Sequence, residues 1–112
     1  MKGINLAAKK AQDSSFDRAK IGAVLTKGGR VLASAHNELR FTRKASAPWE
    51  STHAEEMVIL QILRQPGGLQ KLAGATLYVS RVKKDGSLGS AKPCKSCQEL
   101  IDSVPIKRVV FS

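Results

Sequence analysis

The sequence predicts an α/β domain in which one mixed β-sheet carries helices packed on its faces. Its elements are predicted in the order helix, β-hairpin, helix, strand, helix, strand. The last four form a crossover unit, which makes its two strands parallel and its connection right-handed. A chain of 112 residues suits a single core. We therefore expect residues 1–112 to form one domain.

The first half of the chain predicts a short helix and a hairpin. Residues 1–12 place apolar side chains among lysines at helical spacing. Residues 20–26, KIGAVLT, and 30–36, RVLASAH, are β-prone runs on either side of the turn Lys27–Gly29. Residues 37–52 are polar and basic without a clear period, and they predict a long loop.

The second half predicts the crossover unit. Residues 53–65 lack strand alternation and end at Pro66–Gly68, which predicts a mostly buried helix. Residues 75–82, ATLYVSRV, are the clearest strand. A helix is then expected from Pro93, a favoured first helical residue, and a final strand over 106–112.

Composition limits the class of protein and its partners. An apolar share of 42% with 25% charged residues excludes a largely disordered chain. Nineteen basic and nine acidic residues give 19 − 9 = +10, which favours phosphate-bearing partners or else a merely solvated basic face. No stretch reaches the roughly 20 apolar residues of a membrane span. Lys9 and Lys10 interrupt the apolar run of a signal peptide, so we expect a cytoplasmic protein without membrane partners.

The two cysteines, Cys94 and Cys97, form a CxxC pair directly after a proline. Residues at i and i+3 lie on one helix face, so both sulfurs can reach one point. A helix N-terminus also stabilises thiolate. The pair alone is compatible with a metal site, with a redox disulfide or with a chance spacing.

A histidine favours the metal. His36 lies inside a predicted strand, whereas His53 opens a helix. One imidazole and two thiolates suit zinc with an open fourth position, as in catalytic sites. Zinc lowers the pKa of a bound water to roughly 7. Glu55 can exchange that water's proton with a substrate, while Glu56 is expected to be a helix-start acid.

His-Ala-Glu at 53–55 and Pro-Cys-Lys-Ser-Cys at 93–97 resemble the zinc signature of the cytidine/deoxycytidylate deaminase superfamily. The resemblance extends over the hairpin and the strands at 75–81 and 106–112. It implies a three-layer α/β/α cytidine deaminase-like fold and one zinc ion per chain. It also implies hydrolytic conversion of a cytosine base to uracil with release of ammonia. The expected substrate is a free nucleotide such as dCMP, or a nucleoside.

The resemblance also implies roles for individual residues. The zinc ligands are expected to be His53, Cys94 and Cys97, with Glu55 as the proton shuttle. Asn37 is expected to contact the sugar or phosphate of the substrate, and the Ala54 backbone to hold the base. Trp49 lies four residues before His53, and we expect it near the pocket, where an aromatic ring can stack on a base.

Two departures bear on the substrate and the assembly. The chain resembles small phage and bacterial members that lack the C-terminal extension of larger relatives. A homo-oligomer whose neighbouring subunits complete the pocket is therefore expected, in the host cytoplasm if the protein is phage-encoded. Lys92 stands where tRNA adenosine deaminases carry a glutamate, which counts modestly against a tRNA substrate.

Two rival functions remain at this point. The first is the same chemistry on a base in single-stranded DNA, RNA or tRNA, which the charge of +10 and the basic segment 37–52 favour. The second is a non-enzymatic zinc domain or a CxxC redox protein, which the presence of both His53 and Glu55 disfavours.

Overall fold

A computed structural model of the chain describes residues 2–12, 20–41, 49–92 and 94–112. Four helices and seven strands lie within these ranges. The helices are α1 Lys2–Ala11, α2 Ala54–Leu63, α3 Gly68–Leu72 and α4 Lys95–Asp102, and the strands are β1 Lys20–Lys27, β2 Arg30–His36, β3 Glu38–Phe41, β4 Trp49–Thr52, β5 Thr76–Val82, β6 Leu88–Gly89 and β7 Arg108–Phe111.

The main sheet is mixed, as predicted. Over the described ranges it has five strands, with β1 in antiparallel pairing between β2 and β5. Both β6 and β7 pair with β5, and β7 is parallel to it from Thr76↔Arg108 to Val79↔Phe111. The predicted crossover with two parallel strands is therefore confirmed.

The predicted hairpin is confirmed, and the geometry of its turn explains why positions 28 and 29 are glycines. Gly28 and Gly29 have φ values of 58° and 81° and connect Lys27 to Arg30, which pair across the strands. A two-residue turn with positive φ at both central positions matches the right-handed twist of the flanking strands. Glycine takes these dihedral angles without steric cost.

The predicted loop over residues 37–52 was wrong. It contains β3 and β4, which pair antiparallel from Glu38↔Thr52 to Phe41↔Trp49 as a separate two-stranded sheet. A ribbon outside the main sheet does not need the alternation that a core-facing strand requires. The short α3 and β6 were also not predicted. Residues 42–48 of the expected loop lie outside the described residues.

Helices pack on both faces of the main sheet, which gives the expected three layers. On one face, the Ser80 hydroxyl in β5 donates to the carbonyl oxygen of Ile4 in α1 at 2.8 Å. On the other face, α2 packs on the sheet and contributes to the main hydrophobic core, so its predicted burial is confirmed. The fully or almost fully buried core residues from α2 and the facing strands include Val58, Ile59, Ile62, Ala23, Leu25, Leu77 and Val79.

Two helices begin at the same edge of the sheet. Because β2 and β5 are both antiparallel to β1, and β7 is parallel to β5, the carboxyl ends of these three strands lie at the same edge. The chain leaves β2 there on its way to α2, and leaves β5 there on its way to α4. Ligands of open α/β sheets bind outside the carboxyl ends of strands. No helix among the described residues is long and apolar enough to cross a bilayer.

Helix α1 approaches the sheet so closely that only glycine fits at position 22. A Cβ on Gly22 would overlap with the backbone oxygen of Ala7 and the backbone nitrogen of Ala11. We predict that Gly22→Ala lowers the free energy of unfolding by about 1–3 kcal/mol, the usual cost of overpacking. Urea unfolding followed by circular dichroism measures this. Ser34→Ala, at an exposed position of β2, is the control and should change little; an unchanged midpoint for Gly22→Ala contradicts the close packing.

Candidate metal centre and active site

Three predicted metal ligands meet at this edge of the sheet. Nδ1 of His53 lies 3.1 Å from Sγ of Cys97 and 3.5 Å from Sγ of Cys94. One donor atom from each residue lies within 4.8 Å of the other two. Both cysteines are free, so no disulfide joins them. The structure therefore contradicts a CxxC disulfide with His53 elsewhere.

Two helix N-termini bring these side chains together. His53 is the N-cap residue of α2, with extended backbone angles (φ −77°, ψ 137°), and its carbonyl oxygen accepts the first helical hydrogen bond from Met57 at 3.0 Å. Cys94 is the N-cap residue of α4, and its carbonyl oxygen accepts from Gln98 at 2.8 Å. Cys97 then lies in the first turn of α4. Since α2 and α4 pack together, their first turns converge.

The helix at the cysteines begins later than predicted. It starts at Lys95 and not at Pro93, which lies outside the described residues. Cys94 is consequently a capping residue with φ −69° and ψ 169°. Its extended backbone still presents Sγ to the point that Cys97 reaches from the helix proper, so the predicted convergence of the two sulfurs holds.

The donor set fits zinc. Tetrahedral zinc with bonds of about 2.3 Å to sulfur and about 2.0–2.1 Å to nitrogen places neighbouring donor atoms about 3.5–3.8 Å apart. The separations between Nδ1 of His53 and the two sulfurs, 3.1 and 3.5 Å, lie close to this range. Three protein donors leave the fourth position for water or substrate, as in catalytic sites.

The buried thiol favours a cation at this point. Cys97 is 3% exposed. Burial raises the pKa of the Cys97 thiol far above its ordinary value of 9.0, and the negative charge of Glu55 raises it further. A thiolate here therefore needs a compensating positive charge. The N-terminus of α4 supplies part of it, and a divalent ion would supply most.

Glu55 is a buried acid within electrostatic reach of the cluster. It lies in the first turn of α2 and is 5% exposed, whereas its neighbour Glu56 is exposed. Its charge acts on the Cys97 thiol, which places the two groups in electrostatic reach. The described residues make no hydrogen bond to its carboxylate. The burial of Glu55 and the exposure of Glu56 agree with the interpretation of their roles, which stays a prediction.

Asn37 holds the end of the hairpin at the same edge. Its side-chain Oδ1 accepts from the backbone nitrogen of Ile21 at 2.9 Å, and its own backbone nitrogen donates to the carbonyl of Ile21 at 3.0 Å. The residue is 5% exposed. These bonds fix the orientation of the amide, so its NH₂ group is a donor of defined direction. The expected contact to substrate stays a prediction.

The structure gives less information on the roles of the remaining candidate residues. Ala54 is fully buried as the first residue of α2, where backbone N–H groups have no helical acceptor. Trp49 lies in β4, but its side chain lies outside the described part of the chain. His36 ends β2, is half-buried, and its ring nitrogen Nδ1 lies 3.2 Å from the carbonyl of Asn37.

The sequence interpretation missed Arg81. It lies in β5, one residue before the strand ends at this edge. Its Nε atom is buried and has no hydrogen-bond partner. The sequence did carry a signal, because Arg81 is the one charged residue of the predicted strand ATLYVSRV. A charged side chain is usually exposed, so its place in a largely apolar strand is unusual.

Comparisons with known proteins agree with this site. The family model described as "Cytidine and deoxycytidylate deaminase zinc-binding region" matches residues 1–112. A tRNA-specific adenosine deaminase of Bacillus subtilis is 36% identical over 93% of this chain. The match covers 53% of that relative, so the chain spans about half of its length. A deoxycytidylate deaminase of Mycobacterium phage D29 is 29% identical over 96% of this chain and 89% of its own.

A solved structure supports the fold. The dCMP deaminase of cyanophage S-TIM5 in its apo form superposes with a TM-score of 0.72. It shares 22% sequence identity and is matched over 98% of this chain and 79% of that one. The three-layer cytidine deaminase fold is therefore confirmed. His53, Cys94 and Cys97 are positioned to bind the metal of a zinc-binding region.

We predict that the purified protein contains about one zinc ion per chain, held by the three clustered residues. Cys97→Ala and His53→Ala should each reduce bound zinc severalfold, because two protein donors remain. Metal analysis by mass spectrometry measures the content. His36→Ala is the matched control, since it removes the other histidine and should leave the content unchanged. Equal zinc in all four proteins would place the metal elsewhere.

We also predict that the affinity for zinc decreases as the pH is lowered. The Cys97 thiol is protonated near neutral pH because burial raises its pKa, so zinc must displace at least this proton. One displaced proton weakens the affinity about tenfold for each unit by which pH decreases. Competition with a chelator at pH 6, 7 and 8 measures this. A constant affinity over the range contradicts a protonated thiol in the metal-free site.

Proposed function

We propose that this chain, which belongs to the cytidine and deoxycytidylate deaminase family, deaminates cytosine on a free nucleotide, with dCMP as its substrate. Members of this family are hydrolases that act on C–N bonds. Water adds oxygen at C4 of the base, the amino group leaves as ammonia, and uracil results. The observation that carries the proposal is the convergence of His53, Cys94 and Cys97 beside the buried carboxylate of Glu55.

Glu55 is the group that moves protons in this proposal. When bound, zinc supplies the acidity that makes a water nucleophilic near neutral pH. The Glu55 carboxylate accepts the proton of the attacking water. It then donates it to the ring nitrogen and assists departure of the amino group as ammonia. Its burial in the first turn of α2 holds it at a fixed position and excludes bulk water.

The binding residues hold the base and the sugar around this centre. The Ala54 backbone, at the N-terminus of α2, can donate to a base carbonyl, because this position has no helical acceptor. Asn37 can contact the sugar through its fixed amide. Trp49 is proposed to stack near the base. A homo-oligomer in which neighbouring subunits complete the pocket is part of the same proposal.

Three observations support a free nucleotide. The phage D29 deoxycytidylate deaminase is matched over 89% of its length, whereas the Bacillus subtilis tRNA-specific enzyme is matched over 53%. The cyanophage enzyme has also been solved with dCMP and dUMP, and that form superposes with a TM-score of 0.69. A net charge of +10 is suited to a phosphorylated substrate.

A second candidate is deamination of adenosine in tRNA or of a base in a single strand. The observation in its favour is the 36% identity to the tRNA-specific enzyme, higher than the 29% to the phage enzyme. The basic charge also suits a nucleic acid backbone. Lys92 stands where the resemblance places the glutamate of tRNA adenosine deaminases, which counts modestly against a tRNA substrate.

A substrate panel separates these functions. The zinc-loaded protein is incubated with dCMP, CMP, deoxycytidine, a single-stranded oligonucleotide containing C and A, and a tRNA anticodon stem-loop. Chromatography of the products and ammonia release are measured. The proposal expects turnover of dCMP above the rest. Turnover of an oligonucleotide alone, with strongly salt-dependent binding, supports the second candidate instead. Zinc binding without any turnover contradicts both.

We predict that Glu55→Gln lowers kcat by at least about 10²–10⁴-fold, the usual contribution of general acid–base catalysis. Gln keeps the size of the side chain but cannot accept the proton. Zinc content and the melting temperature should stay close to those of the wild type. Glu56→Gln is the matched control, because Glu56 is the exposed neighbour, and it should retain activity. Equal effects of both changes contradict the assigned shuttle.

A further inference from the structure

A row of four residues crosses the sheet at its ligand-binding edge. Asn37 is hydrogen-bonded to Ile21, Ile21 pairs with Arg81, and Arg81 pairs with Gly89. Side chains directly opposite each other on antiparallel strands share a face. Ile21 packs against the hydrophobic core that α2 covers, so Arg81 lies on the same face as α2. This is the face on which α2 contributes His53 and Glu55.

Strand spacing limits how far Arg81 can lie from the other residues of this edge. Neighbouring strands are about 4.8 Å apart, so the backbones of Asn37 and Arg81 are separated by about 10 Å. On the other side, Gly89 precedes Cys94 by five residues, a path of at most about 17 Å. Arg81 therefore lies between the residue expected to contact the sugar and the segment that carries the zinc ligands.

A second cation shares this position. Lys83 follows Arg81 by two residues, and both side chains lie against Gly89. A Cβ built on Gly89 would be 3.1 Å from Cε of Lys83 and 3.4 Å from Cδ of Arg81. Gly89 is buried while Lys83 is exposed. The absence of a side chain at Gly89 thus allows two cationic stems to lie side by side over the strand.

Over the described residues, the structure shows no ion pair for Arg81 or Lys83. Nε of Arg81 is buried without any partner. The acid closest in sequence, Asp85, accepts hydrogen bonds from the hydroxyl and the backbone nitrogen of Ser87, at 2.6 and 3.0 Å. The positive charge of Lys83 lowers the pKa of Asp85, but the two groups form no ion pair. A buried donor is ordinarily satisfied, and the described residues supply no acceptor for Nε of Arg81.

The backbone around these cations is held firmly. The backbone nitrogen of Arg81 donates to Oγ of Ser112 at 3.1 Å, and that hydroxyl donates to the carbonyl of Gly89 at 2.7 Å. The carbonyl of Ser112 also accepts from Ala91 at 2.8 Å. Ser112 therefore links β5, β6 and the segment that leads to Cys94.

We propose that Arg81 and Lys83 form a receptor for the 5′-phosphate monoester of the substrate, and that this receptor makes the enzyme selective for nucleotides over nucleosides. The inference rests on the proposed function. Arginine binds phosphate through two parallel N–H groups, and one of these would be the unpartnered Nε–H. Lys83 adds a second charge without requiring a fixed geometry. A dianionic phosphate satisfies both groups.

The test compares dCMP with deoxycytidine. Arg81→Met keeps an unbranched apolar stem over Gly89 but removes the guanidinium. It should lower kcat/KM for dCMP by about 10–100-fold, the range for a hydrogen-bonded charge pair, and leave deoxycytidine within about twofold. Arg81→Lys should lie between the two proteins. Arg108→Met is the matched control, because Arg108 is an exposed arginine at the opposite end of β7, and it should change neither substrate.

A readout without turnover keeps this inference separate from the proposed function. In ¹⁵N-labelled zinc-loaded protein, one arginine Nε–H resonance should disappear in Arg81→Met and should shift when dUMP or inorganic phosphate is added, but not with deoxyuridine. If the wild type shows this shift and deaminates nothing, the receptor stands and the proposed function fails.

Other outcomes overturn the receptor. If Arg81→Met lowers kcat/KM equally for dCMP and deoxycytidine, Arg81 stabilises the fold or contacts the base and does not bind the phosphate. No loss for either, or no phosphate-dependent shift, removes it from binding. A loss confined to an oligonucleotide substrate assigns the pair to the backbone of a polymer and contradicts a monoester receptor. If Arg81→Met does not fold, Arg81→Lys together with the wild-type resonance decides the question.

Discussion

The site depends on one topological constraint: two helices must begin at the same edge of one sheet. Because β2 and β5 run in the same direction, each delivers the chain to a helix N-terminus at that edge. His53 begins α2 and Cys94 begins α4. The partial positive charge of both helix ends then favours thiolate, carboxylate and other anionic groups. The cluster of ligands from positions 53, 94 and 97 therefore forms at the first turns of two helices.

Residues with a local reason for their conformation could be predicted from the sequence, and residues placed by register could not. Gly28 and Gly29 identify the hairpin, and Cys94 and Cys97 lie close in any helical start. Their meeting with His53 came from chemistry and resemblance, since no local rule joins residues 41 or 44 positions apart. The ribbon of β3 and β4 was missed because a two-stranded sheet outside the core leaves no periodic apolar signal. Arg81 was missed because its importance arises from pairing with Gly89 and Ile21, which sequence spacing does not show.

Asn37 illustrates why structural and functional roles coincide at this edge. An amide that closes a hairpin through Oδ1 loses its rotational freedom, and the cost of ordering it is met by folding. The same bond fixes which side of the amide carries its donors. A ligand that meets Asn37 therefore meets a preorganised donor and not a mobile side chain. Glu55 follows the same logic, because helix α2 and burial fix its carboxylate before any substrate arrives.

The two ends of this edge carry groups of opposite charge. At one end, a buried thiol and a buried carboxylate lie together, and the pKa of Cys97 is raised by its burial and by the negative charge of Glu55. At the other end, the buried Nε of Arg81 has no acceptor among the described residues, and its side chain lies beside that of Lys83. An unsatisfied buried group costs about 1–3 kcal/mol, and an apolar residue in β5 would avoid it. A divalent cation compensates the first end and a phosphate compensates the second. A ligand that places its reactive base at the metal and its phosphate against Arg81 thus satisfies both ends at once. The same groups that lower the stability of the ligand-free protein therefore make it selective for this ligand.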